Sequence, residues 1–293
     1  MKQTILLFLA FLFILTGCTA PEDPAQIAAT TLPVYEFTSR LCEGTGITVT
    51  RLITENVSCL HDYSLNVSQV RSAEAAELVI ISGAGLEEFM EDILPEGSTL
   101  DSSAGIELIE GGHSHEHDEH DDHGHHHHDT DSHIWLSPEN ARQMAINICN
   151  GLSLRYPEQK AVFEANLQIL LSDMDTLLTY GQSELSSLSC RDLITFHDGF
   201  SYLADSFGLT ILEAVEEESG SEASAAELKH LIEEVRHHDL PAIFTEINGS
   251  DSAASVIARE TGVTVYTLDM AMAGDSWFDT MYRNIDTLKE ALG

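Results

Sequence analysis

The stretch Glu158–Ser187 decides the architecture of this chain. It reads EQKAVFEANLQILLSDMDTLLTYGQSELSS and keeps a helical hydrophobic period for about 30 residues, interrupted only at Gly181. An average globular helix has about 11–12 residues, so a pattern of this length predicts a connector between two lobes.

Short apolar runs alternate with amphipathic segments on both sides of this helix. The predicted strands are Ile47–Ile53, Leu78–Ser82, Leu193–Phe196, Ala242–Thr245 and Val263–Leu268. The predicted helices are one that begins at Pro138 behind a Ser137 cap, then Ala223–His238, Ser252–Thr261 and Trp277–Leu292. This alternation predicts an α/β fold of two lobes, each with a mainly parallel sheet flanked by helices, joined by a long rigid helix.

The N-terminus predicts export. Lys2 precedes the apolar run Ile5–Leu15, which has the length of a signal-peptide core and falls short of the about 20 residues of a membrane span. The run ends in Leu15-Thr16-Gly17-Cys18, which resembles the lipobox of bacterial lipoproteins. We therefore expect an extracytoplasmic protein anchored to the cell membrane by lipid on Cys18. The alternative is an ordinary secretory signal with an incidental cysteine.

These patterns divide the chain into five parts. The expected parts are a signal peptide at 1–18, a polar tether at 19–29, an N-terminal lobe at 30–155 with a His-rich loop at 113–131, a linking helix at 156–188 and a C-terminal lobe at 189–293.

The charge balance excludes one class of partner. Thirteen basic residues stand against forty-nine acidic ones, giving a formal charge of −36. A nucleic acid backbone would be repelled by this charge, whereas cations are attracted. The cysteines after Cys18 are Cys42, Cys59, Cys149 and Cys190. No CxxC spacing joins them, so we expect free thiols, with a disulfide as the alternative outside the cell.

The most unusual composition lies in the run HSHEHDEHDDHGHHHH. Its histidines are His113, His115, His117, His120, His123, His125, His126, His127 and His128. Imidazoles among carboxylates bind zinc-like metals, but this spacing has no tetrahedral pattern and predicts weak binding of several ions. The run is interpreted as an arm that collects zinc; a sensor or buffer of excess zinc and an acidic spacer are the alternatives.

Four residues outside this run stand where a strand or loop passes into the next element. They are His61, His133, His197 and Asp269. Ligands of parallel sheets gather at the carboxyl ends of strands, so these side chains are candidates for one cleft between the lobes. The remaining histidines, His230, His237 and His238, lie on or at the end of a predicted helix and are expected at the surface.

Several motifs in this order resemble a known family. They are HDYSLNVSQV at 61–70, DSHIWLSPENARQMA at 131–145, YPEQKAVFEANL at 156–167, FHDGFSYLADSFGL at 196–209, IFTE at 243–246, ARETGVTVYTLD at 258–269 and MYRNIDTLKEAL at 281–292. From Thr30 to its end the chain is similar to the metal-binding receptors of ABC importers in the zinc/manganese cluster, the zinc-uptake type in particular.

The resemblance implies a metal held between two lobes. It makes His61, His133 and His197 the metal-binding imidazoles and Asp269 the carboxylate ligand. It also implies an ABC permease as the membrane partner and a receptor rather than an enzyme, which we expect to be a monomer. The His-rich insertion just before His133 is likewise similar to the flexible loop of the zinc-type members. The loop before His61 reads TENVSCLHDY, whereas relatives often have a Pro/Gly-rich approach with an acidic or small residue near the histidine, so Leu60 cannot supply a carboxylate there. A thiolate ligand at Cys59 is the lesser interpretation.

Three imidazoles and one carboxylate favour Zn²⁺, since manganese prefers more oxygen ligands. In manganese-type relatives a carboxylate tends to occupy the place of His197. The alternatives are a manganese receptor, a surface metal buffer or adhesin, and a zinc hydrolase. The last lacks an HExxH motif, and Asp269 would close its open coordination position.

Overall fold

The computed structural model describes residues 25–55, 57, 60, 63–110, 130–215 and 223–293. Its elements, in chain order, are β1 Ile27–Ala29, α1 Leu32–Leu41, β2 Val49–Arg51, α2 Val67–Ala75, β3 Leu78–Ile81, β4 Thr99–Asp101, α3 Pro138–Arg155, α4 Lys160–Glu184, β5 Asp192–Thr195, α5 Ser201–Ser206, β6 Thr210–Ala214, α6 Ala225–His237, β7 Ala242–Glu246, α7 Ser252–Thr261, β8 Thr264–Leu268 and α8 Trp277–Leu292. Short 3-10 helices cover Glu88–Ile93, Ile134–Leu136 and Pro157–Gln159.

The described strands form two parallel sheets, one in each lobe. The first has the order β2-β1-β3-β4 and the second the order β6-β5-β7-β8. Helices separate consecutive strands along most of the chain, as parallel pairing requires. The predicted fold class is therefore confirmed.

The long helix α4 links the two lobes. It packs against α1 and α3 of the first lobe and against α8, which follows the last strand of the second. Gly181 lies inside this helix and does not interrupt it. A Cβ at this position would come within 2.3 Å of the Phe207 ring and 3.1 Å of Ile285. The glycine therefore permits a close approach between α4 and the second lobe.

The boundary between the lobes is itself packed. One apolar core includes strand residues of both sheets, such as Ile27 and Phe244, together with Leu170 and Leu177 of α4. The Trp135 indole N–H of the first lobe donates to the Met270 carbonyl at 2.7 Å. A continuous core of this kind resists movement of one lobe relative to the other.

Several element boundaries differ from the sequence-based expectation. Strand β1 begins at Ile27, within the segment expected to be a tether. The helix expected from Glu158 begins instead as a 3-10 turn and becomes α-helical at Lys160. Helix α3 begins as predicted, with the Ser137 hydroxyl accepting the Asn140 N–H.

The expectation of free thiols is met at the described cysteines. Cys42, Cys149 and Cys190 are free thiols, and Cys59 lies outside the description. Across the part of the chain that is described, no helix combines the length and apolarity needed to cross a membrane.

Candidate metal centre

The structure describes three of the four predicted metal ligands. His133, His197 and Asp269 are described, whereas His61 and its neighbour Cys59 lie outside the described residues. The same holds for Cys18 and for the histidines of the run between His113 and His128. His230 and His237 are exposed and His238 is half-buried, as expected for histidines of a surface helix.

His133 lies in the first lobe, directly before the 3-10 helix Ile134–Leu136, and its side chain is only 4% exposed. One oxygen of Asp131, Oδ1, accepts both the backbone N–H and the Nδ1 hydrogen of this histidine, each at 2.8 Å. A carboxylate only accepts hydrogen bonds, so the neutral ring carries its proton on Nδ1. The Nε2 lone pair of His133 therefore remains available to a metal ion.

His197 lies in the second lobe, two residues beyond the end of strand β5. Its ring meets the His133 ring edge to face, with centroids 5.2 Å apart and planes inclined at 82°. The backbone carbonyl of His197 accepts the Thr195 hydroxyl at 3.1 Å, which fixes the chain as it leaves the strand. The structure thus brings together two predicted imidazoles, one from each lobe.

Gly199 makes this approach possible. A Cβ at this position would come within 2.8 Å of His133 Nδ1, 2.9 Å of His197 Cδ2 and 2.5 Å of Met270 Cε. Real Cβ atoms do not approach that closely, so any other residue here would push the imidazoles apart. The spacing of the two rings therefore depends on the absence of a side chain.

Glu246 is a member of this site that the sequence analysis did not assign. It ends strand β7, its side chain is 2% exposed, and its Oε2 lies 3.6 Å from His197 Nδ1. Burial, together with the negative charge of Asp269, raises the pKa of Glu246 to about 8. Among the described residues, its Oε1 has no hydrogen-bond partner. A cation bound nearby would favour the ionised carboxylate and so lower this pKa.

Asp269 follows strand β8 directly and remains 21% exposed at its side chain. Asn284 of α8 holds its backbone on both sides, since the Asn284 amide accepts the Asp269 N–H and donates to its carbonyl. Its Oδ1 accepts the Ala271 N–H at 2.8 Å, and its Oδ2 lies 3.9 Å from the Arg283 guanidinium. The carboxylate is thus engaged locally, and it lies near enough to Glu246 for its charge to raise the pKa of that group.

Taken over the described residues alone, no group of three or more His, Cys, Asp or Glu side chains has the spacing of a complete metal site. The two imidazoles could offer nitrogen ligands, and Asp131 and Asp269 are carboxylates, while Glu246 adds a carboxyl group that a nearby cation would ionise. Such a combination favours a divalent cation over an anion. Asp131 and Glu246 are the two members that sequence reasoning missed. Glu246 could have been found by the strand-end rule that identified Asp269.

Comparison with known proteins agrees with this architecture. A protein-family model described as the zinc-uptake complex component A, periplasmic (ZnuA), matches residues 27–291. The zinc-binding lipoprotein AdcA of Streptococcus pneumoniae (strain ATCC BAA-255 / R6) is 28% identical over 282 residues, which cover 92% of this chain and 56% of that protein. The chain thus spans little more than half the length of this relative.

Two further comparisons cover both partners almost fully. The high-affinity zinc uptake system protein ZnuA of Bacillus subtilis (strain 168) is 28% identical over 283 residues, covering 92% of this chain and 88% of that protein. A crystal structure of ZnuA superposes with a TM-score of 0.77 at 26% identity, covering 92% of this chain and 100% of the other.

Proposed function

Because the chain belongs to the family of the zinc-uptake complex component A, we propose that it is an extracytoplasmic receptor that captures Zn²⁺ between its lobes and delivers it to an ABC permease for zinc import. The observation that carries this proposal is the buried pair of His133 and His197, whose rings come from different lobes and lie 5.2 Å apart. Zinc is the cargo, and its binding is reversible.

The proposed ligands are His61, His133, His197 and Asp269. Neutral imidazoles bind zinc at about 2.0–2.1 Å in four-coordinate sites, and three nitrogens with one oxygen suit zinc better than manganese. The Asp131 contact supports this role for His133, because it leaves Nε2 as the free lone pair. Asp269 would offer Oδ2, since its Oδ1 holds the Ala271 amide.

The buried connection between the lobes bears on release. The long α4 helix and the shared core favour a receptor that closes little when zinc binds. Release would then require the permease to separate the ligands or reorder a loop. The family consists of solute-binding receptors rather than enzymes, which agrees with a site built for binding.

The remaining parts of the proposal concern the ends and the insertion of the chain. Lipid on Cys18 would hold the receptor, as a monomer, at the outer face of the cell membrane. The His-rich loop would raise the local zinc concentration near the cleft when zinc is scarce. Deletion of the loop should therefore weaken capture at low zinc while leaving the tight site in place.

Titration of the purified protein with Zn²⁺ and Mn²⁺ tests the function, with and without residues 113–129. We expect one tight zinc equivalent that survives loop deletion and is lost in His197→Ala. His230→Ala is the matched control, because His230 is exposed and its ring pairs with the exposed Glu213 carboxylate at 3.1 Å. Loss of all tight binding with the loop would favour a metal buffer or adhesin, and tighter binding of Mn²⁺ would make the protein a manganese receptor.

A further inference from the structure

The base of the segment between residues 110 and 130 lies beside the histidine pair. Glu110 and Thr130 form an antiparallel bridge, and the Asp131 N–H donates to the Ile109 carbonyl at 2.9 Å. We call these four residues the loop stem. His133 follows the last stem residue by two positions, so the stem helps to place the backbone of His133.

Tyr202 of α5 connects the stem to the second lobe. Its hydroxyl donates to the Asp131 carbonyl at 2.9 Å and accepts the Ile109 N–H at 3.0 Å. The side chain is buried, and burial raises its pKa to about 12, so the hydroxyl remains a donor at physiological pH. Both strands of the stem are therefore tied to the lobe that carries His197.

The Asp131 carboxylate is committed to His133 in a way that backbone structure alone does not require. Its Oδ1 accepts the His133 backbone N–H, which a simple turn explains, and also the Nδ1 hydrogen of the ring, which a turn does not. Its Oδ2 has no hydrogen-bond partner among the described residues, although the side chain is only 1% exposed. A buried carboxylate without a cationic partner is costly, unless positive charge arrives nearby.

A metal ion at His133 Nε2 would supply that charge across the ring. A hydrogen bond from Nδ1 to a carboxylate orients the imidazole, fixes its tautomer and makes its free nitrogen a stronger ligand. In this chain the acceptor precedes the histidine by two residues.

We propose that Asp131 is a positioning residue for zinc capture: its carboxylate holds the His133 ring with Nε2 free and stabilises the zinc-bound imidazole by its charge. This inference rests on the proposed role of His133 as a zinc ligand. Asp131 is not itself assigned as a ligand.

The experiment compares four variants of the full-length protein: Asp131→Ala, Asp131→Asn, Tyr202→Phe and His133→Ala. Zinc affinity is measured by chelator competition, which reports the tightest equivalent. The absorption spectrum of Co²⁺ bound in place of zinc reports the coordination geometry, and thermal unfolding of the metal-free protein reports folding.

Asp131→Ala should lower zinc affinity about 10–100-fold and alter the Co²⁺ spectrum. Asp131→Asn keeps an oxygen that can accept both N–H groups and loses only the charge, so it should bind zinc more weakly than wild type but better than Asp131→Ala. Tyr202→Phe removes the two hydrogen bonds of the hydroxyl to the stem but keeps the Asp131 carboxylate. The Co²⁺ spectrum of this variant should match that of wild type.

Wild-type zinc affinity in Asp131→Ala would overturn the assignment, as would an equal loss in Tyr202→Phe, because Asp131 would then act only through the stem. If Asp131→Ala does not fold, Asp131→Asn decides: weaker zinc binding supports the assignment and wild-type affinity overturns it. His133→Ala separates a failure of the Asp131 assignment from a failure of the proposed function. Wild-type zinc affinity in His133→Ala would contradict the proposed function itself.

Discussion

At the scale of single residues, Gly199 controls the distance between the two imidazoles. A methyl group at this position would press on both rings and on Met270. We therefore predict that Gly199→Ala lowers zinc affinity at least about tenfold, because ligand geometry is displaced rather than removed. Isothermal titration with zinc in the presence of a competing chelator measures the change.

Gly249→Ala is the matched control for this substitution. Gly249 follows the neighbouring strand β7, is exposed, and would place a Cβ no nearer than 3.4 Å to Glu246. Its zinc affinity should remain within about twofold of wild type. Equal effects at the two glycines would mean that the spacing of the imidazoles is not what Gly199 provides.

Glu87 gives a prediction about pH at the same scale. It is buried and accepts the Thr30 hydroxyl and the amides of Ser82 and Gly83, so it ties the ends of β1 and β3 together. Burial raises its pKa to about 7, against the opposing effect of these hydrogen bonds. The folded protein thus holds this proton more tightly than the unfolded chain.

Unfolding therefore releases the Glu87 proton between pH of about 4.5 and 7, and this contribution to stability is lost as the pH rises through that window. Its size is up to about 3 kcal/mol, from about 1.4 kcal/mol for each pKa unit. Urea unfolding at pH 5 and 7.5 should show that the free energy of unfolding falls less with rising pH in Glu87→Gln than in wild type. Glu91→Gln, an exposed change in the 3-10 helix that directly follows Glu87, should keep the wild-type dependence on pH.

At the scale of elements, the close contact between α4 and the second lobe depends on Gly181. A Cβ there overlaps the Phe207 ring and touches Ile285 of α8. Although alanine favours helices intrinsically, we predict that Gly181→Ala lowers the free energy of unfolding by about 1–3 kcal/mol through this overlap. Denaturant unfolding measures the change.

The adjacent substitution Gln182→Ala tests whether helix propensity or packing decides the result. Gln182 is exposed on the same helix, so its replacement should alter stability by less than about 0.5 kcal/mol. A stabilised Gly181→Ala variant would contradict the packing account and show that α4 can shift away from Phe207.

The elements also show what the sequence could and could not predict. The sequence predicted the long or strongly periodic elements that the structure contains, including α4, α7 Ser252–Thr261 and α8 Trp277–Leu292. Strands β1 and β4, of three residues each, are too short to show a period of two, so no local signal identified them. Strand β1 becomes a strand only by pairing with β2 and β3 in the folded lobe.

The site divides in the same way. His197 was predicted from its position after an apolar strand, His133 from its position before a helix cap, and both from the family motifs around them. The role of Asp131 depends on a 2.8 Å contact with an imidazole, and that of Glu246 on its burial beside His197. Neither property can be read from residue type, because most acidic residues of so acidic a chain are solvated.

At the scale of the whole molecule, the lobes are expected to move little. Besides α4, the lobes share the Trp135–Met270 hydrogen bond and an edge contact between Phe37 and Trp277, whose centroids lie 5.1 Å apart. Receptors that close widely have lobes joined by a few hinge residues. The contacts between the lobes of this chain would oppose such a closing movement.

Small-angle scattering of the loop-deleted protein checks this expectation. The radius of gyration should be the same, within error, for the zinc-loaded protein and for protein stripped with a chelator. Deletion of residues 113–129 removes their own response to zinc from the comparison. A clear decrease on zinc binding would contradict the role of α4 as a stiff connector.

The central claim is that one zinc ion binds between the lobes at the histidine pair. The most direct measurement is a crystal structure of the loop-deleted protein grown with zinc, with an anomalous difference map recorded at the zinc edge. The account predicts one strong peak about 2.0–2.1 Å from a ring nitrogen of both His133 and His197. Strong peaks only elsewhere, with both imidazoles free of metal, would contradict it.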